Sequence, residues 1–289
     1  MPIKKEATTE FSSVSKDFFF AQDAEAGKEI PTAPAFLFST DSLSGYGLDL
    51  TFELVKEAGF EGLDIALWKN FDAWNVEYTK KLSDQYGLPV KVIQVSGNVN
   101  EKEMNKALDL CYGLGADTIA INAPTMFNFK AFSYITDNLP RWKKENKAIH
   151  FTIINPEDSN IFALPIPKYR FSNIVEIIKK YLCYLGLDIS NMDSNSLEND
   201  FMRRMKDFLP YISVLYLSDK SRTGEDHVAP GDGTLKLDFL LKKLKEYGYN
   251  RYISTKLKLS KADLSDVDKV KLILKRARKF YTENYTEVK

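Results

Sequence analysis

The side chains able to do chemistry are few in type. Only two histidines, His150 and His227, occur in 289 residues, so a histidine-rich zinc cluster cannot be assembled. Cys111 and Cys183 each stand in an apolar run with no Cys-x-x-Cys spacing, which argues against a disulfide framework and a cysteine-rich metal knot. What remains is oxygen. Asp188, Asp193, Asp219 and Asp232 form one candidate set for Mg²⁺ or Mn²⁺, because hard cations need no imidazole. Asp193 and Asp232 equally suit the turns around them, where an aspartate accepts hydrogen bonds from its own backbone. Pro230-Gly231-Asp232-Gly233 offers backbone N–H groups to a phosphate or forms a tight turn into a helix. Lys168, Arg170, Lys220 and Arg222 either attract a phosphate or are solvated loop charges.

Aromatic rings are abundant, with 19 Phe, 15 Tyr and 3 Trp, so stacking on a sugar face is available. Trp68 and Tyr216 are the expected lining residues. Phe71, Trp74, Phe127, Phe129 and Tyr169 fall near the expected mouth and also suit packing between elements. Gly113-x-Gly115 reads as a helix stop, since the third glycine and the preceding strand of a dinucleotide fingerprint are missing.

These groups need a scaffold, and the sequence supplies an alternating one. Eight short β-rich apolar runs begin near Ala35, Glu61, Pro89, Ala116, Ile149, Tyr184, Tyr211 and Arg251. Amphipathic stretches separate them, the pattern of βα units around a parallel sheet. Residues 48–58, 104–114 and 237–247 have helical spacing and end at Gly59, Gly115 and Gly248. Residues 263–281 predict a terminal helix on the outside. Eight units predict an α/β fold, a (β/α)8 TIM barrel, occupying 35–289 as a single domain with a C-terminal helix. The polar stretch 1–34 is expected to be an N-terminal arm, free or docked through Phe18, Phe19 and Phe20, and a candidate surface for a protein partner. The longest connections, 155–170 and 218–234, fall at the C-terminal face, where barrels carry their sites. His150 begins the fifth run on the opposite face and is expected to be structural. His227 is expected in a surface loop.

Forty basic and forty acidic residues cancel, so nothing global draws the chain to nucleic acid. No apolar run reaches membrane-spanning length, and no signal-peptide core is visible. With its cysteine usage this predicts a cytoplasmic protein.

Residues 211–257 carry a recognisable pattern: a strand ending in Leu217-Ser218-Asp219, a loop with His227, Pro230-Gly231-Asp232-Gly233, a helix, and a last strand after Gly248-Tyr249. This resembles the closing third of the xylose-isomerase-like sugar isomerases and apurinic endonucleases. GLDLTFELVKEAGFEGLDI and YLGLDISNMDS resemble the family's first helix with its second strand, and its sixth strand, so the resemblance covers about 36–257. It implies a divalent metal in the barrel mouth that assists proton transfer between sugar carbons or phosphodiester hydrolysis. At the implied ligand positions, however, the glutamate before Asn155-Pro156 is Ile154. Asp188 is kept, but the histidine after it is Asn191. A histidine is Tyr216, Asp219 is kept, and the last glutamate is Lys256; Gln94 or Ser96 and Asn122 stand where pocket histidines are common. An aliphatic chain and an ammonium cannot donate electron pairs to a cation. The expectation is therefore a divergent barrel without the family metal. No cofactor is expected, Lys256 either pairs with Asp188 in the mouth or snorkels to solvent at the strand end, and the mouth binds a sugar-like or phosphorylated small ligand or a partner. Trp68, Asn122, Asn155, Asp188, Asn191, Tyr216, Asp219, His227 and Lys256 are the candidate lining. The alternative is an active sugar isomerase or epimerase using Asp188 or Asp219 for proton transfer, with a carboxylate-only Mg²⁺ or Mn²⁺. A Schiff base on Lys256 is a lesser alternative.

Overall fold

The computed structural model describes residues 32–124, 128–156, 160–161, 164–165, 178, 180–192, 205–207 and 209–287. The expected arm lies outside these residues up to position 31, as do Phe127, Lys168, Tyr169, Arg170 and Asp193. Eight parallel strands close into a barrel: β1 (Ala35–Ser39), β2 (Gly62–Ala66), β3 (Val90–Val95), β4 (Thr118–Ile121), β5 (His150–Ile154), β6 (Tyr184–Asp188), β7 (Ile212–Tyr216) and β8 (Tyr252–Thr255). Each pairs with its sequence neighbours, and β8 closes on β1 with Ala35 opposite Tyr252 and Phe38 opposite Thr255. The (β/α)8 expectation is met.

Alternation along the strands separates two cores. Leu37, Val92, Ala120, Ile154, Val214 and Tyr216 pack together inside the barrel. Outward residues such as Phe36, Ile93, Ile121 and Leu215 join the larger core under the helices. On that outer side Phe36 stacks on Tyr281 with ring centroids 4.0 Å apart. At one register irregularity Gly186 lies opposite Val214, skipping Ser213, and the Ser213 hydroxyl meets Thr152 at 2.6 Å. A Cβ on Gly186 would meet Ile154 Cγ1 at 2.9 Å, so the missing side chain makes room for the aliphatic one.

Among the described residues the longer helices are α1 (Leu48–Ala58), α2 (Val76–Tyr86), α3 (Glu101–Leu114), α4 (Phe129–Glu145), α5 (Leu237–Glu246) and α6 (Val267–Tyr281). Gly59 ends α1 at φ 84°, a left-handed cap that suits glycine. The expected terminal helix is divided in two. A single turn, Lys261–Leu264, is closed by a Ser260–Asp263 capping box, and Asp266 then caps α6 by accepting from the Lys269 N–H. Helices α2 and α4 occupy amphipathic stretches between strands to which the sequence assigned no bounds, and α4 carries Pro140 in its interior. At the lower face His150 is buried with its ring 4.5 Å from Tyr184, and Arg251 Nη1 lies 3.3 Å from its Nδ1, a structural role. Among the described residues no helix is long and apolar enough to cross a membrane.

Candidate functional site

The C-terminal ends of the strands carry a line of alternating charges. Lys258 Nζ lies 3.5 Å from Asp226 Oδ1, and Asp226 Oδ2 lies 3.0 Å from His227 Nδ1. His227 Nε2 meets Asp188 Oδ2 at 2.9 Å, and the same oxygen lies 3.9 Å from Lys256 Nζ. Lys256 Nζ is 3.6 Å from Asp41 Oδ2, whose other oxygen is 3.9 Å from Lys69 Nζ. The line crosses from the loop after β7, over the ends of β6 and β8, to the turns after β1 and β2. Its centre is Asp188, fully buried at the end of β6. Burial alone would raise this carboxyl. The charge and hydrogen bond of His227, with Lys256 and the Ser190 hydroxyl at 3.1 Å, outweigh it and hold the group below its ordinary value.

The loop after β7 is shaped to deliver His227. Asp219 Oδ1 accepts from the Lys220 N–H at 2.8 Å and the Leu235 N–H at 2.9 Å, while Oδ2 accepts from the Gly231 N–H at 3.1 Å. Gly233 closes on the same carboxylate: a Cβ there would lie 2.2 Å from Asp219 Oδ1. His227 has φ 58°, an uncommon conformation for a residue with a Cβ, and its carbonyl is fixed by the Lys258 N–H at 2.8 Å. With both ring nitrogens facing carboxylates, both must donate, and only the imidazolium does so. Burial would lower its pKa, yet the Asp188 charge and hydrogen bond raise it overall. Asp219→Ala is expected to strand three backbone N–H groups and cost about 2–4 kcal/mol. Urea unfolding would show the loss, and the His227 imidazole proton resonances would shift as the loop moves.

Beneath Lys256, whose ammonium lies 5.6 Å from the Tyr216 ring centroid, sits a second polar group. Asp64 Oδ2 accepts from Gln94 Nε2 at 2.8 Å and Ser254 Oγ at 3.1 Å, and Gln94 also donates to Ser39 Oγ at 2.7 Å. All five residues, Tyr216 included, are fully buried. Among the described residues, Asp64 Oδ1, Gln94 Oε1 and the Tyr216 hydroxyl have no hydrogen-bond partner. Burial pushes the Asp64 carboxyl from 3.8 up to about 7, against the opposing pull of Gln94, Ser254 and Lys256. Burial also raises the Tyr216 phenol well above its ordinary value, with Asp64 and Asp188 adding to it. The hydroxyl faces Asp64 without closing a well-formed hydrogen bond.

Against the sequence expectations, Asp188 and Lys256 do meet, although His227 is the nearer partner. His227 is buried rather than a surface residue, because the Asp219-clamped loop folds it inward. Asp219, a candidate for proton transfer, is committed to the backbone of its own loop. Asn155 brackets the Asp188 backbone, its Oδ1 accepting at 2.6 Å and its Nδ2 donating at 3.0 Å. Asn191 donates to the Asn155 carbonyl at 2.9 Å and Asn122 to the Val95 carbonyl at 3.0 Å, so both position loops. Trp68 is half-buried in the turn after β2, while Phe71 and Phe129 are exposed. The Gly231 N–H of the candidate phosphate loop is occupied by Asp219. Sequence reasoning misses Asp41, Asp64 and Asp226. Asp64 alone carries a readable signal, a carboxylate inside the apolar run of a strand.

A divalent cation does not fit these residues. Among those described, no three of His, Cys, Asp and Glu come together to hold one. Both His227 nitrogens are engaged, Ile154 fills the inner wall, and the Lys256 ammonium stands beside Asp188. Of the oxygen-only set expected as an alternative, Asp219 accepts from the backbone of its own loop and Asp232 pairs with Arg276, while Asp193 is outside the described residues.

A closed parallel barrel with its polar cluster at the strand C-termini defines a TIM-barrel protein, the cluster lying on the face where such barrels carry their sites. The family model for the xylose isomerase-like TIM barrel matches residues 52–266, and the chain belongs to that family. Solved structures share the fold at low identity. A xylose isomerase domain-containing protein from Salmonella typhimurium LT2 is 16% identical over 88% of this chain and 99% of its own, with a TM-score of 0.63. The 3-keto-D-glucoside 4-epimerase from E. coli is 16% identical over 84% and 99%, with a TM-score of 0.61. An L-ribulose 3-epimerase is 13% identical over 88% and 95%, with a TM-score of 0.66. No curated protein matches the sequence.

Proposed function

We propose that this barrel binds a small polyhydroxylated ligand, sugar-like or phosphorylated, at its C-terminal mouth without a divalent metal, Lys256 supplying the positive charge. One observation carries the reading. Lys256 Nζ lies between Asp41 and Asp188 at 3.6 and 3.9 Å, beyond direct hydrogen bonding, and makes no other hydrogen bond among the described residues. Its donors are free to turn to a ligand oxygen, and the partly exposed Asp41 beside it accepts from a ligand hydroxyl. Trp68, half-buried in the turn after β2, is an apolar face for a sugar ring. The isomerase or epimerase alternative keeps one specific support, the buried Asp64 carboxyl.

Calorimetric titration of EDTA-treated protein with L-ribulose, D-xylose and D-fructose 6-phosphate tests the reading. Binding of at least one probe should survive EDTA and weaken about tenfold or more in Lys256→Met, the loss of one charge-assisted contact. Binding that returns only with added Mg²⁺, Mn²⁺ or Zn²⁺ overturns it.

A further inference from the structure

We propose that Asp41 is the built-in occupant of an anion position between Lys69 and Lys256 and thereby sets the charge of the ligand, admitting uncharged polyhydroxylated compounds and turning phosphorylated ones away. The inference rests on ligand binding at the mouth as proposed, and narrows the ligand class from sugar-like or phosphorylated to uncharged.

The turn after β1 fixes this carboxylate from both sides. The hydroxyl of Thr40, the residue before it, accepts from the Ala66 N–H at 3.0 Å and donates to Asn70 Oδ1. The hydroxyl of Ser42, the residue after it, accepts from the Leu257 N–H at 2.8 Å. Asp41 is thereby tied to the ends of β2 and β8, the two strands that the lysines follow. Each of its oxygens faces one ammonium: Oδ2 lies 3.6 Å from Lys256 Nζ and Oδ1 lies 3.9 Å from Lys69 Nζ. Two oxygens shared between two cations is how a phosphate would be held, and here the chain supplies the anion itself.

Selectivity follows from charge and from the supply of donors. Asp41 and Asp188 already flank Lys256, so a phosphate entering beside it meets two carboxylates along with the ammonium. A phosphate ester at pH 8 is close to a dianion and has no proton to donate. The Asp41 carboxylate only accepts, so the two groups repel and form no hydrogen bond. A hydroxyl of an uncharged ligand does the opposite, donating to Asp41 and accepting from Lys256 in one contact. The place is reachable from solvent, since Lys69 is exposed and Asp41 and Lys256 are each partly so.

Inorganic phosphate is the first probe, because it reads the two lysines without a sugar. In calorimetric titrations at pH 8, low salt and with EDTA present, Asp41→Asn should bind phosphate about tenfold or more tighter than wild type. Asp41→Asn combined with Lys69→Met should lose that gain. The second arm compares L-ribulose, D-xylose and D-fructose with D-fructose 6-phosphate. Wild type should prefer D-fructose to its 6-phosphate, and Asp41→Asn should move that ratio toward the phosphate by about tenfold or more. Equal phosphate binding by wild type and Asp41→Asn, a gain that survives Lys69→Met, or a wild-type preference for D-fructose 6-phosphate overturns the proposal. Failure of all three uncharged sugars to bind either protein overturns the ligand reading and the narrowing with it, while the phosphate arm still decides the role of Asp41.

Discussion

Asp188→Ala is expected to destabilise the protein by about 3–5 kcal/mol, the usual cost of breaking a buried ion pair from one side. The carboxylate is fully buried and accepts from His227 Nε2 at 2.9 Å and Ser190 Oγ at 3.1 Å, with Lys256 beyond them. Its loss leaves an imidazolium and an ammonium facing each other across the space it occupied. Asp188→Asn keeps the volume and an acceptor but not the charge, and should fall between wild type and alanine. The loss should shrink when Lys256→Met is present, because one stranded cation is then gone; a double-mutant cycle by urea unfolding at pH 7 measures that coupling. A cost below about 1 kcal/mol would mean that the line of charges contributes little to holding the mouth together.

Asp64→Asn is expected to act in the opposite direction. The Asp64 carboxyl titrates at about 7 in the folded chain and near 3.8 as an ordinary aspartate, so the folded state binds the extra proton between those values. Its contribution is fully present below about pH 4, is lost progressively as pH rises, and is gone above about 7. Over roughly three units this amounts to as much as about 4 kcal/mol, so the asparagine variant should gain about 2–4 kcal/mol at pH 8 and little at pH 4. Thermal unfolding of both proteins across pH 4–8 shows whether the gap opens with alkalinity. A gap of constant size would place the effect in packing.

Much of the barrel was legible because its strands are bounded apolar runs and its helices stop at glycines such as Gly59 and Gly115. Helix α4 was harder to see, since Pro140 interrupts its pattern and tertiary packing of Ile135, Leu139 and Trp142 overrides it. The meeting of Lys256 with Asp188 came from positions aligned to a family. The burial of His227 did not, because it depends on three backbone contacts to Asp219 and on a positive φ that no local pattern announces. Asp41 joins the site only because the turn after β1 lies beside the end of β8, where the Leu257 N–H donates to the Ser42 hydroxyl at 2.8 Å. Asp64 sat in plain view within Gly62–Ala66; its inward direction comes from strand alternation, and its unpartnered oxygen from three-dimensional packing.

The central claim is that an ammonium stands in the mouth where the family resemblance implies a cation. Equilibrium dialysis of untagged protein against Zn²⁺, Mn²⁺ and Mg²⁺, followed by elemental analysis, tests it most directly. The expected result is substoichiometric metal, unchanged in Asp188→Asn and raised only when Lys256→Glu restores a carboxylate. One equivalent of metal on the wild-type protein, lost in Asp188→Asn, would contradict the account.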